Sequence, residues 1–212
     1  MALPENRKRA RSDDEKEARR GAILQATRVM IEAKGFEGIT MNAIAQEAAV
    51  SKGTLYLYAA SKEELLLALF VDAMEQVVAR IEAEATADTL ADVLVQVPAT
   101  TPLFLPLLAR LFAVIEKNVA DEPLFENKRK MRDMGMRVAS VIVRLTGAPL
   151  DQARAASMTL MLAMRGAAQS DVLARRDLTG IPEDLHPMFT KENFVTGYSV
   201  AVRMILAGLT RS

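Results

Sequence analysis

The sequence predicts an all-α fold: an N-terminal three-helix unit, one long helix after it, and a larger helical region beyond. Three observations predict it. Apolar residues recur at three- and four-residue spacing, as in Ile23, Leu24, Thr27, Met30 and Ile31, or Leu65, Leu66, Leu69, Phe70, Ala73, Met74, Val77 and Ile81. No segment of useful length alternates apolar and polar residues as a half-buried strand does. Proline, glycine and capping residues punctuate the periodic stretches where helices should start and stop.

Taken in order, Ser12-Asp13-Asp14-Glu15 reads as a capping box that opens a first helix of roughly five turns, ended by Gly35. Phe36 and Ile39 follow in a loop and tuck into the same small core. Thr40 caps a second, short helix with a small apolar face (Met41, Ile44, Ala45, Ala48), and Ser51 caps a third after a tight turn at Ala49-Val50. Ser61 with Glu64 makes another capping box, the start of a long amphipathic helix ending near Ala85–Ala87. The domain boundaries this implies are 12–60, with the paired short helices at about 40–58, a connecting helix over 61–84, and a second domain over 85–212.

Beyond it, Thr89–Val97 forms a short helix stopped by Pro98. Thr101-Pro102 reads as a cap with proline at the first helical position. Pro106 falls about a turn later, so that helix is either kinked there or begins there, and it continues through Leu107, Leu108, Leu111, Phe112 and Ile115. Asp121 to Pro123 starts a helix reaching Gly147, and Pro149 opens a long one running to about Arg176. A loop with Gly180, Pro182 and Pro187 follows, and Thr190 caps a last helix ending near Gly208.

Composition narrows the function. The chain has 212 residues, half of them hydrophobic, no Cys and one His, His186. Thiolate chemistry is excluded, and histidine-based zinc ligation or a Ser-His relay lacks partners. The carboxylates Asp121, Glu122 and Glu126 cluster at a helix start, and Gly135, Gly147, Gly166 and Gly180 form no phosphate loop. No enzyme, catalytic residue, metal or cofactor is therefore expected. The longest apolar runs, such as Leu65–Val71, are too short to span a bilayer, and the charged N-terminus lacks the apolar core of a secretory signal. The expectation is a cytoplasmic protein without a membrane partner. The 27 basic and 27 acidic residues cancel, which argues against a sequence-blind basic coat for nucleic acid. A local patch still suffices to meet a phosphate backbone, and Arg7, Lys8, Arg9, Arg11, Lys52 and Lys62 are the cations placed to make one.

The chemistry concentrates in Thr40–Glu64. Two short helices joined by a few residues, the second bearing Lys, Thr and Tyr rather than acids, describe a helix-turn-helix and predict double-stranded DNA as partner. Ala45 is small where the two helices cross, and Val50 and Leu55 fill the little core. Ser51 caps the second helix with its amides outward. Lys52 offers a cation, and Gly53 permits close backbone approach. Thr54 offers a hydroxyl or a methyl, Tyr56 and Tyr58 offer phenol O–H groups, and Lys62 adds a cation at the next helix start. A plain αα-hairpin in a bundle would not be expected to combine this cap, this face and the downstream Ser-Lys-Glu-Glu.

Residues Ile23–Phe70, about a quarter of the chain, resemble the N-terminal domain of the TetR family of bacterial transcriptional regulators. The resemblance rests on Ile23-Leu24 with Gly35-Phe36, Thr40 with Ile44-Ala45, Val50-Ser51-Lys52-Gly53-Thr54-Leu55-Tyr56, Tyr58, and Ser61-Lys62-Glu63-Glu64-Leu65. It implies that Thr40, Lys52, Thr54, Tyr56, Tyr58 and Lys62 touch DNA, with Gly53, Thr54, Leu57 and Tyr58 nearest the base edges. Three positions depart from the family pattern. Ala49 stands where a turn glycine is common, Ala59 where an aromatic is frequent, and Leu57 where a polar or aromatic residue is usual.

In the second domain, Met131, Met134 and Met136 on one helix and Met158, Met161 and Met164 on the next supply adaptable apolar surface. The plainer reading is that they fill the core. The functional one is that Phe104, Leu108, Phe112, Met131, Met134, Met161 and Met164 line a cavity for an apolar small-molecule effector, with Arg165 orienting its polar head. The last two long helices carry apolar stripes, Ala155, Met158 and Leu162 on the first and Phe194, Tyr198, Ala201, Ile205 and Leu209 on the second. The resemblance implies that these helices pair with their mates in a homodimer and that the operator is palindromic. The combined expectation is a repressor released from its operator by an apolar effector. A ligand-independent DNA-bound scaffold and an activator of the same fold are the alternatives.

Overall fold

The computed structural model describes residues 5–173, 179–186 and 194–209, and every regular element among them is a helix. The chain divides into two compact units, Met1–Leu69 and Phe70–Ser212.

The first unit holds α1 (Glu5–Lys34), α2 (Met41–Glu47), α3 (Lys52–Tyr56) and the opening turns of α4 (Lys62–Glu84). Helix α1 starts seven residues before the expected cap at Ser12. Residues 5–11 are mostly good helix formers with no proline or glycine, so nothing halts the helix there and Ser12 falls inside it. Its end is as expected: Gly35 has φ +68° and its N–H donates to the Ile31 carbonyl at 2.8 Å. The core packs Ile23, Leu24, Met30 and Ile31 of α1 with Ile39, Ile44, Ala45 and Leu55, all buried. Thr27, buried among them, donates its hydroxyl to the Ile23 carbonyl at 2.8 Å, so no polar group is orphaned by its burial.

The second unit contains the rest of α4, then α5 (Leu90–Thr100), α6 (Phe104–Arg110), a π-helical turn (Leu111–Ile115) and a 3₁₀ turn (Glu116–Asn118). It continues with α7 (Asp121–Thr146), α8 (Leu150–Leu173), a 3₁₀ turn (Glu183–Leu185) and α9 (Phe194–Ala207). Helix α8 packs against α6, α7 and α9, and α9 also packs against α5. Buried aromatic pairs tie the layers, Phe70 on Phe104 at 5.6 Å between ring centroids and Phe194 on Tyr198 at 5.1 Å.

Two proline readings need correction. Pro98 does not stop α5 but lies in its last turn, where its missing N–H removes one bond of the ladder and no later turn is broken. Thr101 does not open the next helix but is the C-cap of α5: its hydroxyl donates back to the Val97 carbonyl at 2.8 Å. Leu103 then adopts φ +59° and α6 begins at Phe104. Pro106 is thus the third residue of that helix, within the first turn, where an N–H has no intrahelical partner anyway. Gly147 ends α7 at φ +73° as expected. The expected end of α8 near Arg176, Pro187 and the Thr190 cap lie outside the described residues. Among the described residues no single helix is long and apolar enough to cross a membrane.

Candidate DNA-binding edge and ligand cavity

The turn from α2 to α3 is built by side-chain caps. Thr40 Oγ1 accepts the Ala43 N–H at 3.2 Å, and Ser51 Oγ accepts the Thr54 N–H at 3.0 Å. Ala49 makes the corner at φ +51°, the left-handed conformation that glycine adopts more readily. Leu55 and Ala59 point inward and are buried, which turns the rest of α3 out. Lys52, Gly53, Tyr56 and Leu57 are exposed and Thr54 and Tyr58 half-buried. Leu57 is 84% exposed and Tyr56 46%, large apolar surface that the unit's own core does not cover. The Lys52 ammonium lies 5.9 Å from the centre of the Tyr56 ring, and the Thr54 hydroxyl is 2.8 Å from that of Ser51. Lys62, in the first turn of α4, follows a cap in which Ser61 Oγ accepts the Glu64 N–H at 3.2 Å. Glu64 in turn accepts the Ala60 N–H at 2.8 Å. With five residues, α3 has few aligned peptides, so its cations and hydroxyls carry its attraction to phosphate more than a helix dipole does.

The second unit encloses a cavity of about 480 Å³, within the range of ligand pockets. Six of the eight residues expected to line it do so: Phe104, Leu108, Phe112, Met131, Met161 and Met164. Met134 and Arg165 are not on the wall. Met134 is buried in the core, and Arg165 lies against Phe112, with its guanidinium carbon 4.5 Å from the ring centre. Sequence reasoning missed the contribution of α4, whose Phe70, Met74, Val77, Val78 and Ile81 form one side. The amphipathic stripe was visible, but α4 read as a connector. The π-helical turn also went unseen; it carries Leu111 and Phe112 on the wall, and no local residue pattern announces it. Tyr198 contributes to the wall as well, and its hydroxyl is buried with no hydrogen-bond partner among the described residues. Burial raises its pKa, since a phenolate there would be unsolvated.

Around the cavity, α4 and α7 are joined by ion pairs. Arg137 holds Glu75 at 2.6 Å and Glu82 in a two-bond fork at 2.6 and 2.9 Å. Hydrogen bonding from Arg137 holds the Glu82 carboxyl below its usual range, and the same bonds raise the guanidinium. Ser157 on α8 donates to the Gly135 carbonyl of α7 at 2.9 Å. On the outside of the unit, Met158 and Leu162 of α8 and Val200 and Met204 of α9 are exposed, Met204 by 71%. The expected stripe on α9 is corrected here: Phe194 and Tyr198 are core residues, stacked inside the unit, and Val200 and Met204 carry its outward apolar face.

Residues 23–69 match the family described as bacterial regulatory proteins, tetR family, and residues 65–212 match the tetracyclin repressor-like C-terminal domain. The chain belongs to the TetR family. A fatty acid metabolism regulator protein from Bacillus subtilis is 36% identical over 62 residues, 29% of this chain and 32% of that protein, so the match spans about a third of the relative's length. Two solved TetR-family structures share the fold over nearly the whole chain. A regulator from Rhodococcus sp. RHA1 has a TM-score of 0.60 at 20% identity, covering 92% of this chain and 100% of that one. Thermus thermophilus FadR, a repressor in complex with lauroyl-CoA, has a TM-score of 0.59 at 18% identity, covering 91% and 96%.

Proposed function

We propose that this TetR-family regulator is a homodimeric repressor that leaves a palindromic operator when a largely apolar small molecule fills the cavity. The observation that carries the reading is the double role of α4. Its first turn bears Lys62 and its later turns supply Met74, Val77, Val78 and Ile81 to the cavity wall. A ligand pressing on that wall favours a placement of α4 in which the recognition helices of a dimer no longer fit two half-sites. It does so only through a difference in affinity between the two states, and a hundred-fold loss of DNA binding needs roughly 2.7 kcal/mol of such coupling.

In this reading Lys52, Tyr56, Lys62, Thr40 and Ser51 hold phosphates, and Gly53, Thr54, Leu57 and Tyr58 face base edges, the Leu57 side chain against thymine methyls. The dimer forms through α8 and α9, whose exposed Met158, Leu162, Val200 and Met204 give an apolar face of the kind a partner covers. The cavity favours a ligand-responsive regulator over a ligand-independent scaffold, and likeness to a repressor carrying lauroyl-CoA supports a hydrocarbon-bearing effector. The relatives are regulators rather than enzymes, so no catalysis is assigned. A protein acting on bacterial DNA in this way works in the cytoplasm.

Lys62→Ala tests the DNA-facing assignment. Gel-shift titration on fragments that the purified protein selects should show weaker binding to every sequence, and a salt slope shallower by about 0.9 for one lost phosphate contact. Unchanged affinity and slope would remove Lys62 from the interface.

A further inference from the structure

Among the described residues the cavity wall is apolar except for its cations and the hydroxyls of Ser157 and Tyr198, and the cations are arranged together. Lys128, Arg132 and Met136 lie four residues apart on α7, hence on one face, and all three border the cavity. Arg154 reaches that stripe from α8, its Nε donating to Met136 Sδ at 3.1 Å. Nearby, the ring of Phe112 is flanked by two cations, Lys128 Nζ at 4.8 Å and the Arg165 guanidinium carbon at 4.5 Å. Among the described residues no Asp or Glu lines the cavity. Lys128 is paired with Glu116 and Arg132 with Asp133, whereas among the described residues neither Arg154 nor Arg165 is paired with a carboxylate.

A thioether is a weak acceptor for a guanidinium, and an anionic oxygen a far better one. Arg154 and Arg132 are exposed while bordering the cavity, which places them where its apolar interior meets solvent. A neutral hydrocarbon would leave these charges unused, and a cationic ligand would be repelled by them.

We propose that the effector is an anionic amphiphile. Its hydrocarbon body lies in the cavity against α4, α6 and the methionines of α7 and α8, and its negative head is held at the opening by Arg154, with Arg132 and Lys128 beside it. The proposal rests on the ligand-responsive reading above. A fatty carboxylate and an acyl thioester of a phosphate-bearing carrier share this chemistry.

Four probes of one chain length separate the possibilities: dodecanoate, dodecanoyl-CoA, 1-dodecanol and dodecyltrimethylammonium. Each is titrated calorimetrically into the full chain below its micelle-forming concentration, and its effect on a protein–DNA complex is followed by fluorescence anisotropy. At least one anion should bind about ten-fold more tightly than the alcohol, with the ammonium weakest. Arg154→Gln should abolish that advantage and leave alcohol binding unchanged, and Arg154→Lys should restore part of it. Preference for dodecanoate names the free acid as the source, and preference for dodecanoyl-CoA names the thioester. If the alcohol or the ammonium binds as tightly as both anions and releases DNA, the anionic head is overturned while the ligand-responsive reading stands. If an anion binds through Arg154 without releasing DNA, the site stands and the repressor mechanism falls. Binding by none of the four overturns the inference.

Discussion

The two units use apolar residues in opposite ways. The first packs Ile23, Ile39, Ile44 and Leu55 into a small filled core and leaves Tyr56 and Leu57 standing out on the exposed edge of α3 and the turn after it. The second buries Phe104, Leu108, Leu111 and Met164 just as deeply, yet arranges them around about 480 Å³ of space. A filled core fixes the angle at which a recognition helix is presented. A hollow one leaves contacts to be made by a guest, so its shape answers to what binds.

Truncating a leucine in each core measures that difference and gives the largest effect. Leu55→Ala should cost about 3–5 kcal/mol, because every side of the removed group is packed against protein. Leu108→Ala should cost about 2 kcal/mol, since one side already faces empty volume. Urea unfolding gives the totals, and hydrogen exchange assigns each loss to its unit. Equal costs would mean that the cavity is collapsed in solution, and the contrast would be lost.

Each unit also holds local defects, and relieving one in each should give smaller gains. Ala49 sits at φ +51°, where a Cβ crowds the backbone, so Ala49→Gly should stabilise the first unit by about 1 kcal/mol. Tyr198 buries a hydroxyl with no partner among the described residues, so Tyr198→Phe should stabilise the second by about 1 kcal/mol. Both are read as a rise in Tm. A fall for Tyr198→Phe would show that the hydroxyl finds a partner in solution, most simply a water within the cavity.

The same contrast explains what the sequence disclosed. Caps, turns and helix faces are local, so Thr40, Ser51, Gly35, Gly147 and the outward set on α3 could be read residue by residue. The left-handed corner at Ala49 followed from the resemblance to a family with glycine there. Cavity walls are assembled by packing between distant segments. The methionines and Phe104, Leu108 and Phe112 suggested a hollow, but spacing alone did not separate Met134, which faces the core, from Met131 and Met164, which face the space. Nor did it reveal that α4 forms one side. The prolines misled for a related reason: Pro98 and Pro106 are tolerated because each falls in a terminal turn, and where the turn ends depends on the left-handed Leu103, which is not a residue type that signals it.

The smallest effect concerns the ion pairs that join α4 to α7. The Glu82 carboxyl is depressed first by its hydrogen bonds from Arg137, and the charges of Arg137 and Arg144 lower it further against the opposing effect of burial. A carboxyl depressed in the folded state contributes stability above its unfolded pKa of about 4.3 and loses that contribution as pH falls through the lower folded value. Arg137 stays charged throughout, so the window is set by the carboxylate alone. Both partners are more than a third exposed, which keeps the expected contribution within about 1 kcal/mol. Glu82→Gln should therefore melt slightly below the unmodified chain at pH 7, and the gap should close as the pH is lowered below about 4. A gap that persisted in acid would mean that Glu82 acts through its packing beside Arg137 rather than its charge.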